Sequence, residues 1–576
     1  MGYTSTYEYW IEDNYFDDEI KTELKSLAGD EEEIKERFYK ELEFGTGGLR
    51  GIIGAGTNRM NIYTVRKATQ GLANYILLNN GQKRGVAIAY DSRRMSPEFA
   101  EEAALCLNAN GIITYIFDSL RPTPELSFAV RELGCIAGIV ITASHNPAEY
   151  NGYKVYWEDG AQITSPKDKE IITEVKKVDD YHLVKTMKKG LATEKGLYKV
   201  IGKEVDERYN QELHKLSMNK NVIQKMADSL TIVYTPLHGA GNLPVQRILK
   251  DLGFNKVYVV TEQEKPDGDF PTVVSPNPED PKAFTLALEL ADKVKADLIL
   301  ATDPDADRLG VYVKDNKTGQ YISFTGNMSG MIIAHYMVSQ MKANDNLPAN
   351  AALVKTIVTT NMVDELANEY HLKLLEVLTG FKYIGEQIKF FEQSKLYEYI
   401  FGMEESYGCL VGTYARDKDA VSAVMMLCEA AAYCSYNHMT LWDYMIKLYE
   451  KYGYFKEDLI SFTFKGLDGN LKIQRIMEKF RNSNMNKIDN LKVIKIRDYQ
   501  TGKIKNAESN EFEDTGLPKS NVLYYELEDN AWCCVRPSGT EPKIKFYIGV
   551  KEKSLKEAEL RCEGIKKELK EIVEQC

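Results

Sequence analysis

The sequence predicts an α/β protein with three doubly wound mixed α/β domains followed by a smaller α+β C-terminal domain. Three observations carry that expectation. Short apolar runs of strand length alternate with amphipathic stretches of helix length through most of the chain. After residue 455 the alternation gives way to strand-like runs set between two helices. The segments richest in chemistry follow apolar runs, where an open α/β sheet presents its ligands at the carboxyl ends of its strands.

In chain order, residues 15–41 form a charged amphipathic lead-in. The strand-like runs Gly85–Tyr90 and Ile112–Phe117 then alternate with a helix over Pro97–Asn108, and Gly138–Thr142 is a further buried strand. A Lys-rich polar stretch, Ser165–Lys199, interrupts this as helix plus connector, so the first domain is expected over 1–207. Alternation restarts at Leu230–Tyr234 and continues through Asp297–Leu300 and Leu309–Val313, giving a second domain over 208–324. A helix over Asn327–Met341, a strand over Ala352–Thr356 and helices over Val421–Tyr436 and Leu441–Tyr449 make a third, 325–455. The last unit, 456–576, has strands Leu459–Phe464, Val522–Leu527 and Ala531–Arg536 with helices Asn470–Arg481 and Leu555–Glu574. No fixed short repeat underlies the three alternations.

Four segments carry chemistry. TASHNPAEYNGYK, Thr142–Lys154, puts Ser144 and His145 on the loop leaving a buried strand, where a nucleophile is expected; the competing interpretation is a turn capped by Ser and Asn. ATDPDADR, Ala301–Arg308, spaces Asp303, Asp305 and Asp307 so that alternate side chains turn toward one point, a hard oxygen set suited to magnesium or calcium. An EF-hand is excluded, because its Gly and Glu positions hold Arg308 and Lys314. Three packed carboxylates repel unless a cation neutralises them, which favours a metal over an Asp-rich turn. GMEESYG, Gly402–Gly408, offers Glu404, Glu405 and Ser406 to sugar hydroxyls. RPSGTEPK, Arg536–Lys543, joins a guanidinium to Ser538, Gly539 and Thr540, a combination that suits phosphate.

In this order the four segments resemble the α-D-phosphohexomutase family, with its phosphoserine, metal, sugar-binding and phosphate-binding loops. The resemblance covers nearly the whole chain, since FGTGGLRGIIGAG, Phe44–Gly56, is similar to the family's N-terminal active-site segment with Arg50 at its basic position. The sugar loop, YTPLHGAGN (Tyr234–Asn242) and TGFKYIGEQI (Thr379–Ile388) most resemble the branch that holds phosphoglucomutases and phosphopentomutases. Pro304 and Ala306 stand where many members have glycine, a departure that bears on loop flexibility more than on ligation.

The resemblance implies reversible phosphoryl transfer between phosphorylated Ser144 and a hexose phosphate, with glucose 1-phosphate and glucose 6-phosphate as the expected pair. The route runs through a glucose 1,6-bisphosphate intermediate that also serves as activator. Mg2+ would be held by Ser144, Asp303, Asp305 and Asp307 and would stabilise the transferring charge. Arg50 and Arg308 would flank the phosphoryl group, His145 and Lys154 are candidates for proton transfer, and Lys418 would assist at the sugar loop beside Glu404 and Ser406. Arg536, Ser538, Gly539 and Thr540 would grip the phosphate that is not reacting. Excluding water calls for a last domain that closes over the substrate. A phosphopentomutase, a sugar-1,6-bisphosphate synthase and a phosphomannomutase would use the same loops. A non-catalytic sugar-phosphate sensor would not need the intact triad, and a serine hydrolase would need a nucleophile elbow that the residues around Ser144 do not supply.

Composition narrows the setting. The 576 residues are 44% hydrophobic, and 73 basic against 85 acidic side chains leave a net charge of −12, which argues against a general nucleic-acid binder and makes Arg50, Arg308 and Arg536 local features. The nine cysteines show neither zinc nor disulfide spacing, so reduced thiols are expected, with Cys409 a buried free thiol. With no long apolar span and a polar, acidic beginning, a cytoplasmic location is expected without membrane contact; Met1, Gly2 and Thr6 match a myristoylation pattern that no polybasic run reinforces. The expected partner is a small phosphosugar, and monomer and dimer remain open. His238, a glycine-flanked loop histidine, is expected to be a structural hydrogen bonder.

Overall fold

The computed structural model describes residues 2–44, 48–464, 466–483, 485–538 and 543–576, and leaves aside the side chains of 466–468. The architecture is three α/β domains, each with its own sheet, followed by a fourth built on an antiparallel sheet.

The first sheet runs Gly48–Ile52, Tyr150–Trp157, Ala137–Ile141, Val86–Tyr90, Thr114–Phe117, Tyr198–Ile201. Its last four strands are parallel, and the first two close one side antiparallel. Central strands VAIAY and AGIVI are apolar along their length because helices cover both faces of such a sheet. Tyr198–Ile201 at the far edge is an addition to the sequence expectation: the Lys-rich stretch resolves into helices Lys167–Lys176 and Lys189–Glu194 and then feeds this strand. The lead-in is likewise two helices, Asp18–Ser26 and Glu31–Phe38, preceded by an unanticipated helix Tyr3–Glu12. These three are fixed by a knot of rings in which Trp10 stacks on Phe16 at 4.3 Å and meets Phe38, Tyr63 and Tyr181 edge-on.

The second sheet runs Tyr321–Phe324, Leu309–Lys314, Leu298–Thr302, Ile232–Thr235, Val257–Val259, and the third Lys373–Val377, Ala351–Thr356, Glu398–Glu404, Gly408–Val411. One continuous core, including Phe128, Tyr209, Leu300, Met331 and Met426, runs through all three domains. Helix Ala420–Tyr436 passes through it almost wholly buried, its amino end capped by Asp419, which accepts from Val421 N at 2.7 Å.

The fourth sheet is antiparallel, with path Tyr454–Thr463, Lys543–Glu552, Trp532–Pro537, Leu523–Leu527, Leu491–Asp498, Lys503–Asn506, Phe512–Asp514. Helices Gly466–Asn482 and Leu555–Glu574 bury residues such as Ile476, Phe480, Ile565 and Leu569 in its core. Leu491–Asp498 and Lys543–Glu552 go beyond the sequence expectation, because both begin with alternating apolar and charged residues and lack the unbroken apolar run of the inner parallel strands. This domain docks on the third through Ile357, Val358 and Leu378 against Tyr499, Tyr524, Trp532 and Tyr547, with Arg497 ion-paired to Glu376 across the boundary at 2.5 Å. Among the described residues no helix is long and apolar enough to cross a membrane.

Candidate active site

Three loops meet at the carboxyl ends of strands Ala137–Ile141, Leu298–Thr302 and Glu398–Glu404, and the fourth domain faces them. Ser144 is 3% exposed and has a left-handed backbone, φ 52°, that a non-glycine residue adopts at a cost of about 1–2 kcal/mol. Its neighbours hold it there. The amide of Ser144 donates to Thr142 Oγ1 at 2.7 Å, and Thr142 Oγ1 donates to the buried Asp91 at 2.6 Å. Arg93, 1% exposed, donates to the carbonyls of Ser144 at 2.6 Å, Pro147 at 2.8 Å and Tyr150 at 3.0 Å, and also to that of Asn146. Phe270 covers its guanidinium at 5.0 Å. Sequence reasoning missed Arg93 and Asp91, because nothing local marks an arginine whose partners are backbone carbonyls more than fifty residues away.

Ser144 Oγ donates to Asp303 Oδ2 at 2.6 Å and lies 3.3 Å from His145 Nδ1. Asp303, Asp305 and Asp307 are all buried, and one oxygen from each falls within 4.8 Å of the others. Asp303 Oδ1 accepts the amides of Asp307 and Arg308 at 3.1 and 3.0 Å. Lys154 lies 2.8 Å from Asp305 Oδ2 and 3.7 Å from Asp307 Oδ2, and Lys418 lies 2.8 Å from the latter. Burial and the two neighbouring aspartates push the Asp303 carboxyl well above the carboxylate range. Burial acts the same way on Asp305, but the charge and hydrogen bond of Lys154 more than offset it and hold its carboxyl below that range.

This donor set fits a hard divalent cation. Asp305 Oδ1 and Asp307 Oδ1 are buried without a hydrogen-bond partner among the described residues, a costly arrangement for carboxylate oxygens unless an ion takes them up. The loop accommodates Ala306 in a left-handed turn, φ 50°, where a glycine would be unstrained. Gly239, from the loop containing His238, is required by this packing, since a Cβ there would come 2.4 Å from Pro304 Cα. His238 itself is hydrogen-bonded on both ring nitrogens, to Lys265 O at 3.1 Å and Thr272 Oγ1 at 2.9 Å.

The remaining sites arrange themselves around this centre. Arg50 reaches Asn146 Oδ1 at 3.4 Å from the edge strand, and Arg308 pairs with Glu279, which sequence reasoning also missed. Burial and the charges of Arg308 and Arg50 lower the His145 pKa well below the usual histidine value. Glu404 accepts the Gly380 amide at 2.8 Å, and burial pushes its carboxyl to about 7, with Lys418 opposing and Glu405 reinforcing. Glu405 accepts from Thr356 Oγ1 at 3.0 Å, while the hydroxyl of half-buried Ser406 has no partner among the described residues. Lys418 lies between the two loops: its Nζ is 2.8 Å from Asp307 Oδ2, and its stem passes over Gly408 of the sugar loop, where a Cβ would come 2.2 Å from Lys418 Cδ.

From the fourth domain, Arg536 enters the same space. Burial opposes its charge, and Tyr547 and Glu405 more than compensate. Lys545, opposite Arg536 in the sheet, faces Glu279, Arg308 and Glu405, and burial lowers its pKa. Lys382 lies beside Arg536, its pKa lowered by burial. Neither lysine stands out in sequence. The Ser538 amide donates to Lys543 O at 2.7 Å, and Gly539 and Thr540 lie outside the described residues. Cys409 is buried and its thiol pKa is raised by desolvation, so it is unsuited to act as a nucleophile.

Comparison with known proteins agrees with this geometry. Residues 41–182, 207–318 and 325–452 match the family described as phosphoglucomutase/phosphomannomutase, alpha/beta/alpha domains I, II and III. The chain is 39% identical over 520 residues to a phosphoglucomutase of Staphylococcus epidermidis strain RP62A, covering 90% of this chain and 92% of that one. It is 37% identical over 548 residues to the phosphoglucomutase of Staphylococcus aureus strain USA300, covering 94% and 95%. In fold it is similar to the open form of Paramecium pp63/parafusin, with TM-score 0.68, 18% identity and 93% and 96% coverage. A phosphoglucomutase/phosphomannomutase family protein of Burkholderia thailandensis superposes with TM-score 0.63 at 18% identity, covering 92% and 97%. The loops, the domains that carry them and these likenesses lead to one conclusion: the chain belongs to the α-D-phosphohexomutase family.

Proposed function

We infer that the protein is a phosphoglucomutase, interconverting glucose 1-phosphate and glucose 6-phosphate in the cytoplasm through a phosphorylated Ser144 and glucose 1,6-bisphosphate. The observation that carries this is Ser144 Oγ on Asp303 at 2.6 Å, at the edge of three buried aspartates with two oxygens left without a hydrogen-bond partner among the described residues. Relatives 37–39% identical over nearly their whole length are phosphoglucomutases, which supports glucose as the sugar. The working units are taken as 1–207, 208–324, 325–455 and 456–576, one loop to each.

Mg2+ held by Asp303, Asp305, Asp307 and a phosphate oxygen on Ser144 would neutralise the phosphoserine and stabilise the charge of transfer. The chain supplies the rest. Arg50 and Arg308 flank the phosphate on Ser144, and Arg93 keeps the loop in the geometry that points Oγ at the triad. Glu404 and Ser406 receive sugar hydroxyls, while Arg536, Ser538, Gly539 and Thr540, with Lys382 and Lys545 near them, hold the distal phosphate. Neutral His145, 3.3 Å from Ser144 Oγ, and Lys154 and Lys418 beside the aspartates are the groups available to move a proton. Binding the bisphosphate in two orientations lets one serine reach both ends of the sugar, and closure of the fourth domain keeps water from discharging it.

Parallel assays on glucose 1-phosphate, mannose 1-phosphate and ribose 1-phosphate, each with Mg2+ and a catalytic amount of glucose 1,6-bisphosphate, test the assignment. Glucose 1-phosphate is expected to give the highest kcat/KM. A higher value for ribose or mannose would reassign the enzyme as a phosphopentomutase or phosphomannomutase, and net accumulation of bisphosphate would reassign it as a bisphosphate synthase.

A further inference from the structure

Asp305 is held from another domain. Thr123 opens helix Thr123–Glu132 of the first domain, and its hydroxyl donates to Asp305 Oδ2 at 2.8 Å. Its backbone N–H, one of the donors a helix leaves without a partner in its first turn, donates to the Asp305 carbonyl at 2.9 Å. Both residues are 0% exposed, so no water competes for these bonds. Oδ2 also receives Lys154 at 2.8 Å, again from the first domain. Oδ1, on the same carboxylate, is buried and has no hydrogen-bond partner among the described residues.

The two oxygens of Asp305 are therefore not equivalent. One is occupied by two donors and the other has no hydrogen-bond partner among the described residues. A partial rotation of the carboxylate about its Cβ–Cγ bond would tilt its plane and swing that free oxygen from its place, and the two donors from the first domain oppose that rotation. We propose that Thr123 is a positioning residue for the metal ligand Asp305: its hydroxyl fixes the orientation in which the carboxylate is presented to the divalent cation and ties cation affinity to the seating of the first domain against the second. The inference rests on the magnesium reading of the triad. It differs from that reading in assigning a role to a residue that would never touch the ion.

Partners that orient a metal-ligating carboxylate are worth roughly 10- to 100-fold in metal affinity. The test is calorimetric titration of Mg2+ into full-length Thr123→Val, Thr123→Ser and parent protein, with unfolding temperatures recorded in the absence of metal. Thr123→Val keeps the shape and the backbone bond to Asp305 and should weaken Mg2+ binding by about 10- to 100-fold, and Thr123→Ser, which restores the hydroxyl, should bind within about threefold of the parent. A residue that only packs would lower the metal-free unfolding temperature and leave Mg2+ affinity alone. Parent-like affinity in Thr123→Val, or a loss in Thr123→Ser equal to that in Thr123→Val, would overturn the inference. If Thr123→Val does not fold, Thr123→Ala paired with Thr123→Ser serves the same comparison. Failure of the parent to bind Mg2+ at all would instead strike the magnesium reading itself.

Discussion

Arg93→Lys is the sharpest perturbation of the nucleophile loop. The substitution keeps the buried charge and removes the planar fork. The arginine reaches four carbonyls of one loop, those of Ser144, Asn146, Pro147 and Tyr150, and sits 3.4 Å from Asp91. A lysine carries three donors on a single nitrogen, so at least one charge-assisted bond is lost, worth about 1.5–3 kcal/mol. The left-handed backbone of Ser144, itself costing about 1–2 kcal/mol, then has less to hold it. Combining the two terms gives roughly 2.5–5 kcal/mol of lost preorganisation at the nucleophile, or about a 70- to 5000-fold fall in kcat. The far-phosphate and hydroxyl contacts lie on other loops, so KM should stay within about threefold. Steady-state kinetics with glucose 1-phosphate, alongside thermal unfolding of the variant, provides the measurement. Unchanged kcat, or a rise in KM with kcat intact, would refute the argument that Arg93 positions Ser144.

Other expectations follow from the same geometry. Ser144→Ala should carry no phosphate after incubation with glucose 1,6-bisphosphate and should lose turnover, as peptide mass spectrometry and kinetics can show; phosphate found only elsewhere would displace Ser144 as nucleophile. Asp305→Asn should cut turnover far more than stability, and exhaustive chelation should abolish activity that added Mg2+ restores. Arg536→Ala should weaken every phosphosugar by about one to two orders of magnitude without changing preference among them, whereas Glu404→Gln should shift the ratio of kcat/KM between glucose 1-phosphate and ribose 1-phosphate. Glu457 of the fourth domain accepts from Asn327 of the third at 3.1 Å, and burial pushes its carboxyl from 4.5 to about 7. The folded chain keeps a proton that the unfolded chain releases earlier, so this contribution to stability is full below pH 4.5 and is lost as pH rises through about 7. Unfolding temperatures between pH 5 and 8 should therefore show a downward slope that Glu457→Gln flattens, and an upward contribution from Glu457 would contradict the shift.

The parts of the site legible in sequence are those whose signal is local. Ser144 follows an apolar run, the aspartates recur at every second position, and Glu404 lies in the motif GMEESYG, so each could be singled out before any coordinates. Residues that act across the chain left no such mark. Thr123 meets Asp305 from 182 positions away, Arg93 finds its carbonyls 51 to 57 positions away, and Lys545 joins the site only because the fourth sheet sets it opposite Arg536. The positive φ of Ser144 was equally silent, since serine carries no preference for it. In the fold, buried parallel strands announced themselves by unbroken apolar runs, while Leu491–Asp498 did not, because one face alone is packed and lysines and arginine occupy the rest.

The core that passes through the first three domains has a consequence for how the chain is made. Its members extend from Ala87 to Phe455. At the usual pace of synthesis, about 5–20 residues per second, the apolar face formed by Leu126, Phe128, Val140 and Tyr156 waits roughly 15–60 seconds before its last partners emerge from the ribosome. For about the first half of that interval, until Asp303–Asp307 are made, the nascent chain carries a nucleophile loop without its aspartates, and throughout it a sticky surface that invites association with other unfinished chains. Fragments ending between residues 207 and 455 should on this account be insoluble when expressed alone, and the native protein's dependence on chaperones should be concentrated in that window of translation.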